Sequence, residues 1–305
     1  MKWTTDQVES LEGKHILVTG GNSGLGYESV KVFASKGASV ILASRSMERG
    51  EKAKMEIMTE YPKADINVMV LDLADSKSIR NFVNTFTSTY KKLDVLLNNA
   101  GIMTTPYGVT KEGIEQQQGV NHFGHFLLVS LLFETIKNTK DSRIVNVSSI
   151  AHRGGKMNFD DLFFSEGKKY NKIKAYSRSK LENLLFTYEL DRRVKKAGLN
   201  IKVVVAHPGV SKTNLGRHIK RGFFSVITDA LQVLISHDKK YGCLPQVRAA
   251  VDKNVKSGEF YGPKGFMGMK GAPKVATSNK RSHSLEDATK LWTLSEELMG
   301  NKFTI

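Results

Sequence analysis

The sequence predicts an α/β protein, a single-domain Rossmann-type doubly wound parallel sheet with helices on both faces, over residues 1–305. Three observations support this prediction. Short apolar runs alternate with segments of helical periodicity along most of the chain. Glycine-rich or polar residues follow the carboxyl ends of these runs, where such sheets bind ligands. No shift in composition, tandem repeat or low-complexity tract divides the chain.

Six apolar runs have the character of strands buried on both faces. They cover residues 14–20, 38–43, 66–71, 93–97, 143–147 and 200–206. Helical patterns lie between them, at 27–36, 47–60, 76–90 and 114–137, and a further helix contains Tyr176. Near the end of the chain, Ser284 followed by acidic residues predicts the N-terminus of a closing helix.

The composition is that of a globular protein with a well-buried core, since 40% of the residues are hydrophobic and 25% are charged. The single cysteine, Cys243, excludes an internal disulfide and a multi-cysteine metal cluster. No apolar run is long enough to cross a bilayer, and the first residues lack the apolar stretch of a signal peptide. We therefore expect a cytoplasmic protein without a transmembrane segment.

The formal net charge of +16 is the one unusual number in the composition. Residues 217–281 contain 13 Lys or Arg against 4 Asp or Glu. Such an excess of basic residues can bind nucleic acid, an anionic membrane surface or an acidic ligand. No basic cluster interleaved with stacking aromatic residues is present, and no nucleic-acid motif matches. We expect a solvated basic surface and no nucleic-acid partner.

A glycine-rich turn follows the first predicted strand and precedes a helix. Gly20, Gly24 and Gly26 are spaced Gly-x-x-x-Gly-x-Gly. Glycines permit a tight turn and let backbone N–H groups approach a pyrophosphate at the helix N-terminus. Between a strand and a helix, this turn predicts the first half of a dinucleotide-binding unit.

The end of the second strand indicates which dinucleotide is preferred. Enzymes that prefer NAD place an acidic residue there for the adenosine ribose. In this chain the position is held by Ser44, with Arg45 beside it. An arginine can pair with a 2′-phosphate, whereas a carboxylate would repel one. Arg45 could be an ordinary surface charge, but its position at the end of the strand favours NADP(H) over NAD(H).

Tyr176 and Lys180 are four residues apart, which places them on one face of a helix. A free tyrosine has a pKa near ~10 and holds its proton too firmly at neutral pH for easy acid–base work. An ammonium nearby favours the phenolate, so we expect Lys180 to lower the pKa of Tyr176 towards a useful value.

Taken together, these residues resemble the short-chain dehydrogenase/reductase family over roughly residues 11–213. The motifs occur in the family's order on compatible elements. They are Thr19-Gly20-x-x-x-Gly24-x-Gly26, Asp72-Leu73, Asn98-Asn99-Ala100-Gly101, Asn121, Ser149, Tyr176-x-x-x-Lys180 and Pro208-Gly209. The resemblance implies a cofactor-binding part at about 11–213, and a substrate lid and C-terminal segment at about 214–305.

The resemblance also implies roles for particular residues. Tyr176 would be the general acid/base, and Lys180 would lower its pKa and hold the nicotinamide ribose. Ser149 would bind the substrate oxygen, and Asn121 would anchor a water that links Lys180 to solvent. The implied cofactor-binding residues are Gly20, Asn22, Ser23, Gly24, Leu25, Gly26, Ser44, Arg45, Asp72, Leu73, Asn99, Ala100, Gly101, Tyr176, Lys180, Pro208, Gly209, Val210 and Thr213.

The spacing of 26 residues between Ser149 and Tyr176 is wider than in most relatives. Together with residues 206–209 and the closing helix that contains Leu291-Trp292, this spacing resembles the branch of retinol dehydrogenases and related NADPH-dependent reductases of lipid carbonyls. The apolar segment 219–236 would then be a substrate-side lid, which suggests an apolar aldehyde, ketone or alcohol as substrate. An equally good interpretation of 219–236 is a helix packed on the sheet or on another subunit. Homo-oligomers are common in the family, so the resemblance implies one here.

Two alternatives remain open at this stage. A catalytically silent regulator or scaffold could keep the NADP(H)-binding fold, although such a protein has no chemical need for all four catalytic residues. A reductase of lipid carbonyls could instead associate with a membrane surface through the basic segment after Arg217. His122 and His125 lie at a spacing that metal ligands use, but no carboxylate or cysteine partner is apparent, so we expect no metal.

Overall fold

Eight strands form one sheet in the order β3-β2-β1-β4-β5-β6-β7-β8. The computed structural model describes residues 2–164, 167, 169–210 and 238–305. The strands are β1 His15–Thr19, β2 Ser39–Ser44, β3 Asp65–Val70, β4 Val95–Asn98, β5 Arg143–Val147, β6 Lys202–Ala206, β7 Phe260–Pro263 and β8 Pro273–Ala276. All neighbouring strands pair in parallel except β7 and β8, which pair antiparallel.

Helices connect the strands and cover both faces of the sheet. They are α1 Gly24–Ser35, α2 Met47–Glu60, α3 Ser76–Thr89, α4 Gln116–Gln118, α5 Gly124–Lys137, α6 Lys172–Lys196, α7 Lys239–Gly242, α8 Leu244–Val251 and α9 Leu285–Met299. Short 3₁₀ turns lie at Thr5–Gln7, Ile150–Gly154, Phe159–Asp161, Phe266–Gly268 and Lys280–His283. None of the helices in these described ranges is long and apolar enough to span a membrane.

The predicted Rossmann-type α/β class is confirmed, and one detail of the prediction is wrong. The predicted helix at 114–137 is present from Gln116 to Lys137, and it contains a π-helical turn at Gly119–Phe123 between α4 and α5. The prediction stopped at six strands, whereas β7 and β8 extend the sheet. Each of these two strands has only four residues, and prolines stand at Pro263 and Pro273, so neither gives the long apolar signal of a central strand.

The core lies on both faces of the sheet because successive strand residues point to opposite sides. On one face, Leu17 of β1 belongs to a buried cluster with residues of α3, α5, α6 and α9, such as Trp292. On the other face, its neighbours Ile16 and Val18 belong to a cluster with residues of α1, α2 and α8, such as Phe33. The sheet is therefore anchored by apolar packing on both sides, and its carboxyl edge is left for polar groups.

Chain order reverses between β1 and its two neighbours. From β1 the chain proceeds to β2 and then β3 on one side, and returns to β4 on the other. A crevice forms outside the carboxyl ends of the strands at such a switch point. The site described below lies there.

Candidate active site

A cavity of about 310 Å³ opens at the carboxyl ends of β1, β2, β4 and β5. It collects most of the residues that the sequence assigned to a cofactor. The predicted residues that line it are Gly20, Asn22, Ser23, Gly24, Leu25, Gly26, Ser44, Arg45, Asp72, Leu73, Asn99, Ala100, Gly101, Lys180 and Pro208. It is also lined by Thr19, Ser46, Arg49, Leu71, Ile102, Met103, Thr105, Gln116, Val120 and Val147.

Glycines form the floor of this cavity where β1 turns into α1. Gly20 and Gly24 have φ values of +66° and +60°, a left-handed conformation that favours glycine. A Cβ added at Gly26 would lie 2.3 Å from the Gly20 carbonyl oxygen and 2.5 Å from Asn99 Nδ2. The turn therefore needs glycine for its own packing, and it leaves backbone exposed towards the cavity as a phosphate-binding cradle requires.

Two arginines stand at the end of the cavity beside β2. Arg45 follows the strand, and Arg49 lies in the first turn of α2, whose N-cap is Ser46. Both arginines are exposed, and within the described ranges neither forms an ion pair with a carboxylate. The residues of this end therefore fit an anionic group such as the 2′-phosphate of NADP(H).

Tyr176 is placed by the long helix α6. The side chain of Asn171 caps this helix by accepting hydrogen bonds from the backbone N–H groups of Ile173 and Lys174, each at 3.0 Å. Tyr176 follows within the next turn and is 8% exposed. The hydroxyl of Ser149, which follows β5, lies close enough to the phenol to influence its pKa. Two predicted catalytic residues from separate elements are thus brought near each other.

The pKa values of the tyrosine and lysine correct the prediction made from their spacing. Burial raises the pKa of Tyr176 to about 12, and the nearby Ser149 hydroxyl opposes part of that rise. Burial also lowers the pKa of Lys180 to about 8. The predicted lowering of the tyrosine pKa by Lys180 is therefore wrong for this arrangement. Removal of the phenolate from water costs more than the ammonium, 5.8 Å from the ring centre, returns.

Lys180 lies between the cavity and the carboxyl end of β5. Its ammonium donates a hydrogen bond to the Val147 carbonyl at 3.1 Å, and Asn183 donates to the same oxygen at 3.0 Å. One turn of α6 is thereby attached to the strand. Lys180 lines the cavity while Tyr176 does not, although the two residues share a face of the helix. The phenol is thus placed beyond the end of the cavity that the lysine borders.

Asn121 lies in the π-helical turn and does not line the cavity. Its side chain accepts a hydrogen bond from the Ile102 N–H at 2.8 Å and donates to the Ile102 carbonyl at 3.0 Å. It also donates to the Ser179 hydroxyl at 2.9 Å, and Ser179 donates to the Tyr176 carbonyl at 2.8 Å. The carboxamide therefore joins the loop after β4 to the helix that carries Tyr176.

The segment after β6 completes the site on the side of Pro208. A Cβ on Gly209 would meet the Met269 carbonyl oxygen at 2.2 Å, and the Val210 N–H donates to that oxygen at 2.8 Å. These two predicted cofactor residues contact the loop between β7 and β8 and do not line the cavity. Thr213 and the predicted lid at 219–236 lie outside the described residues.

Three residues that the sequence analysis did not assign a role belong to the site. The Thr19 hydroxyl accepts the backbone N–H groups of Asn99 and Ala100, each at 2.9 Å. Gln246 of α8 donates to Asn99 Oδ1 at 3.0 Å, and Arg49 lines the cavity. Only Thr19 had a sequence signal, as the residue before the glycine turn. Gln246 is 147 positions from Asn99 and could be found only by folding the chain.

The two histidines considered as metal ligands have other partners. His122 Nε2 lies 3.1 Å from the Ser295 hydroxyl, and His125 Nε2 lies 2.9 Å from the Thr19 hydroxyl. Among the described residues, no group of three or more histidine, cysteine or carboxylate side chains is arranged to hold a metal ion.

Comparison with known proteins gives consistent similarities. A family profile described as short chain dehydrogenase matches residues 14–162. Human retinol dehydrogenase 13 is 38% identical, over 95% of this chain and 86% of its own length. Human retinol dehydrogenase 12 is 38% identical, over 95% and 87% respectively. A protein of known crystal structure from Mycobacterium paratuberculosis is similar over the full length of both chains, with 35% identity and a TM-score of 0.83.

Proposed function

The chain belongs to the short-chain dehydrogenase/reductase family, similar to its retinol dehydrogenases, and we propose that it is an NADP(H)-dependent oxidoreductase. Its substrate is an apolar aldehyde or ketone, or the corresponding alcohol. The observation that carries this proposal is the proximity of Tyr176 and Ser149, next to a glycine-lined cavity that Lys180 borders.

The residues of the cavity support a nicotinamide cofactor with a 2′-phosphate. The turn from Gly20 to Gly26 would hold the pyrophosphate, and Asp72 with Leu73 would lie near the adenine. Arg45 and Arg49 would pair with the 2′-phosphate, which NAD(H) lacks. When bound, the cofactor supplies the hydride, and the protein supplies orientation and electrostatics.

The proton chemistry belongs to residues of the chain. Tyr176, with a pKa near 12, keeps its proton at neutral pH and is ready to donate it to an oxygen that gains negative charge. Ser149 would donate a second hydrogen bond to that oxygen. Lys180, held on Val147, would contact the ribose and favour the phenolate that Tyr176 leaves behind. In the opposite direction, the same phenolate would accept the proton of an alcohol.

An apolar substrate is supported by two features. The relatives with the similarities reported above are named for retinol, a largely apolar alcohol. The segment 219–236, which follows the site in the chain, is rich in phenylalanine, leucine, isoleucine and valine. A pocket for an apolar substrate is lined mainly by side chains of this kind, with few polar groups at the reacting end.

The proposed function is tested by NADPH oxidation with the purified protein and a panel of aldehydes and ketones, retinal included. We expect turnover to rise with the apolar character of the substrate and to be faster with NADPH than with NADH. NADPH binding without turnover of any substrate in either direction would favour the catalytically silent regulator or scaffold. Absence of NADPH binding would overturn the proposal.

A reductase at a membrane surface is a second candidate because one loop is both apolar and basic. Between β7 and β8, Phe266 is 82% exposed and Met267 is 53% exposed, and the exposed side chains of Lys264 and Lys270 flank them. The Val210 N–H donates to the Met269 carbonyl, so this loop packs against the segment that follows β6. An apolar tip among lysines suits contact with anionic lipid.

Vesicle flotation tests this second candidate. We expect binding to vesicles that contain phosphatidylserine, weaker binding to phosphatidylcholine alone, and a loss in the double variant Phe266→Ser with Met267→Ser. Leu285→Ser is the control, since Leu285 is 66% exposed outside this loop. Equal flotation of the double variant and Leu285→Ser would show that this loop does not bind the membrane.

A further inference from the structure

His125 is a buried histidine of α5 whose two ring nitrogens both have partners. The residue is 3% exposed. Its Nε2 lies 2.9 Å from the Thr19 hydroxyl, at the end of β1. Its Nδ1 lies 3.1 Å from the backbone carbonyl oxygen of Asn121, in the π-helical turn. The ring thus bridges the strand that enters the glycine-rich turn and the segment that carries Asn121.

The hydrogen bonds of Thr19 decide which nitrogen of His125 carries the proton. The Thr19 oxygen already accepts two backbone N–H groups, those of Asn99 and Ala100. A hydroxyl has two acceptor lone pairs and one proton, so its proton must be donated elsewhere. His125 Nε2 at 2.9 Å is closer than the Leu97 carbonyl at 3.5 Å. The accepting Nε2 leaves the proton on Nδ1, which donates to Asn121.

The charge state of the ring agrees with this assignment. Burial lowers the pKa of His125 to about 4, and the nearby charge of Lys180 acts in the same direction. The imidazole is therefore neutral near pH 7, with one donor and one acceptor. A neutral ring matches its two partners, since one is a hydroxyl able to donate and the other is a carbonyl.

Asn121 is the part of the site on which this bond acts. Its side chain is occupied by Ile102 and Ser179, as described above. Its backbone carbonyl lies in a π-helical turn, where the regular i→i+4 pattern of the helix is broken. The ring N–H of His125 therefore donates to a carbonyl group inside this π-helical turn.

We propose that His125 is a positioning residue for the reductase chemistry. The ring orients the Asn121 carbonyl. It thereby connects the carboxyl ends of β1 and β4, which border the cavity, to the turn that is bonded to the helix of Tyr176. This inference rests on the proposed function. It adds a residue that does not line the cavity and that acts on catalysis through the Asn121 carbonyl.

Replacement of His125 by leucine tests the contacts of its ring with Thr19 and Asn121 separately. In His125→Leu the Thr19 hydroxyl can turn to the Leu97 carbonyl, so the Asn99 and Ala100 amides stay in place and the Kd of NADPH changes little. The Asn121 carbonyl loses the donor that the His125 ring supplies. We expect kcat to fall on the order of 10- to 100-fold, and its pH profile to shift, because small displacements of catalytic groups have effects of that size.

His122 provides a matched control on the same segment. It is 1% exposed, and its Nε2 contacts Ser295 of α9, on the side away from the cavity. His122→Leu should lower the melting temperature but keep the kcat pH profile of the wild type. His125→Gln keeps a donor and an acceptor and should restore part of kcat. Equal kinetic behaviour of His125→Leu and His122→Leu would overturn the proposal.

A spectroscopic measurement is independent of turnover. In ¹⁵N-labelled protein we expect the His125 ring to show a protonated Nδ1 and a bare Nε2 from pH 6 to pH 8, with no change of tautomer. A protonated Nε2 would contradict the proposed bond to Asn121 even if the enzyme were active. Wild-type protein that binds NADPH with this tautomer but turns over no substrate would count against the proposed function alone.

Discussion

The ammonium of Lys180 donates a hydrogen bond to the Val147 carbonyl at 3.1 Å, which attaches the third turn of α6 to the carboxyl end of β5. The bond places a lysine that is 3% exposed on the wall of the cavity. It also explains how a buried amine is tolerated, since a buried polar group needs a partner. The tyrosine one turn earlier is then directed towards Ser149, and the predictions below follow from this arrangement.

Tyr176→Phe should reduce turnover by roughly 10²- to 10⁴-fold, because it removes the proposed general acid and base. NADPH binding should remain largely intact, since the phenol does not line the cavity. Steady-state kinetics and NADPH fluorescence titration measure the two effects. Tyr188→Phe is the control, because Tyr188 lies on the same helix but bonds Ser278. Full activity of Tyr176→Phe would exclude the assignment.

Arg45→Asp should shift the cofactor preference from NADPH towards NADH, since the carboxylate repels a 2′-phosphate. Arg49→Ala should weaken NADPH binding while leaving NADH binding almost unchanged. A lost charged hydrogen bond corresponds to roughly 10- to 100-fold in Kd. Lys52→Asp matches the charge change of the first variant on an exposed residue of α2 that does not line the cavity. An identical preference in Arg45→Asp and Lys52→Asp would refute the role of Arg45.

Gly26→Ala should be strongly disruptive, because its Cβ would lie 2.3 Å from the Gly20 carbonyl oxygen, part of the backbone. We expect the free energy of unfolding to fall by roughly 1–3 kcal/mol, and NADPH affinity to fall with it. Gly154→Ala is the control, since its Cβ would meet nothing closer than 3.6 Å. Denaturant titration and NADPH titration of both variants make the comparison. Equal stability of the two variants would contradict the close packing of the turn.

Buried histidines should make the protein sensitive to acid. Burial lowers the pKa of His122 and His207 to about 3 and of His125 to about 4, from an ordinary value of 6.5. As pH falls below 6.5, the unfolded chain binds protons that the folded chain refuses, so the stability present at neutral pH is lost. Each such histidine contributes up to about 1.4 kcal/mol per pH unit in that range.

Urea denaturation at pH 7 and pH 5 measures this loss. His122→Phe should reduce the difference in free energy of unfolding between the two pH values by about one histidine's contribution, because the variant has one fewer site for proton uptake. The same difference in the variant and the wild type would show that His122 does not take part. A wild-type stability independent of pH over this range would contradict the buried, neutral state of all three rings.

Much of the site could be predicted because its motifs are local. The turn that contains Gly20, Gly24 and Gly26 lies between one strand and one helix, and Arg45 follows directly after β2. In a parallel sheet the carboxyl ends of the strands meet at one edge, so residues after several strands are expected to converge. Most of the predicted cofactor residues do line one cavity.

What could not be predicted depends on contacts between distant parts of the chain. The spacing of Tyr176 and Lys180 suggested a lowered tyrosine pKa, but burial by the surrounding elements decides its direction. The sequence around Asn121 has an ordinary helical pattern and gives no sign of the π-helical turn inside that helix. The bond from Gln246 to Asn99 spans 147 positions. No local pattern carries such information.

By itself, the sequence determined the order of the first six strands, the α/β class and the identity of the groups at the carboxyl edge of the sheet, because these follow from periodicity, glycine spacing and residue chemistry. Only the tertiary structure decided how those groups behave. It set the protonation of Tyr176 and Lys180, added Arg49 to the cavity and gave His125 its two partners. The physical reason is that desolvation and hydrogen-bond geometry depend on what surrounds a side chain in space, which its neighbours in sequence do not specify.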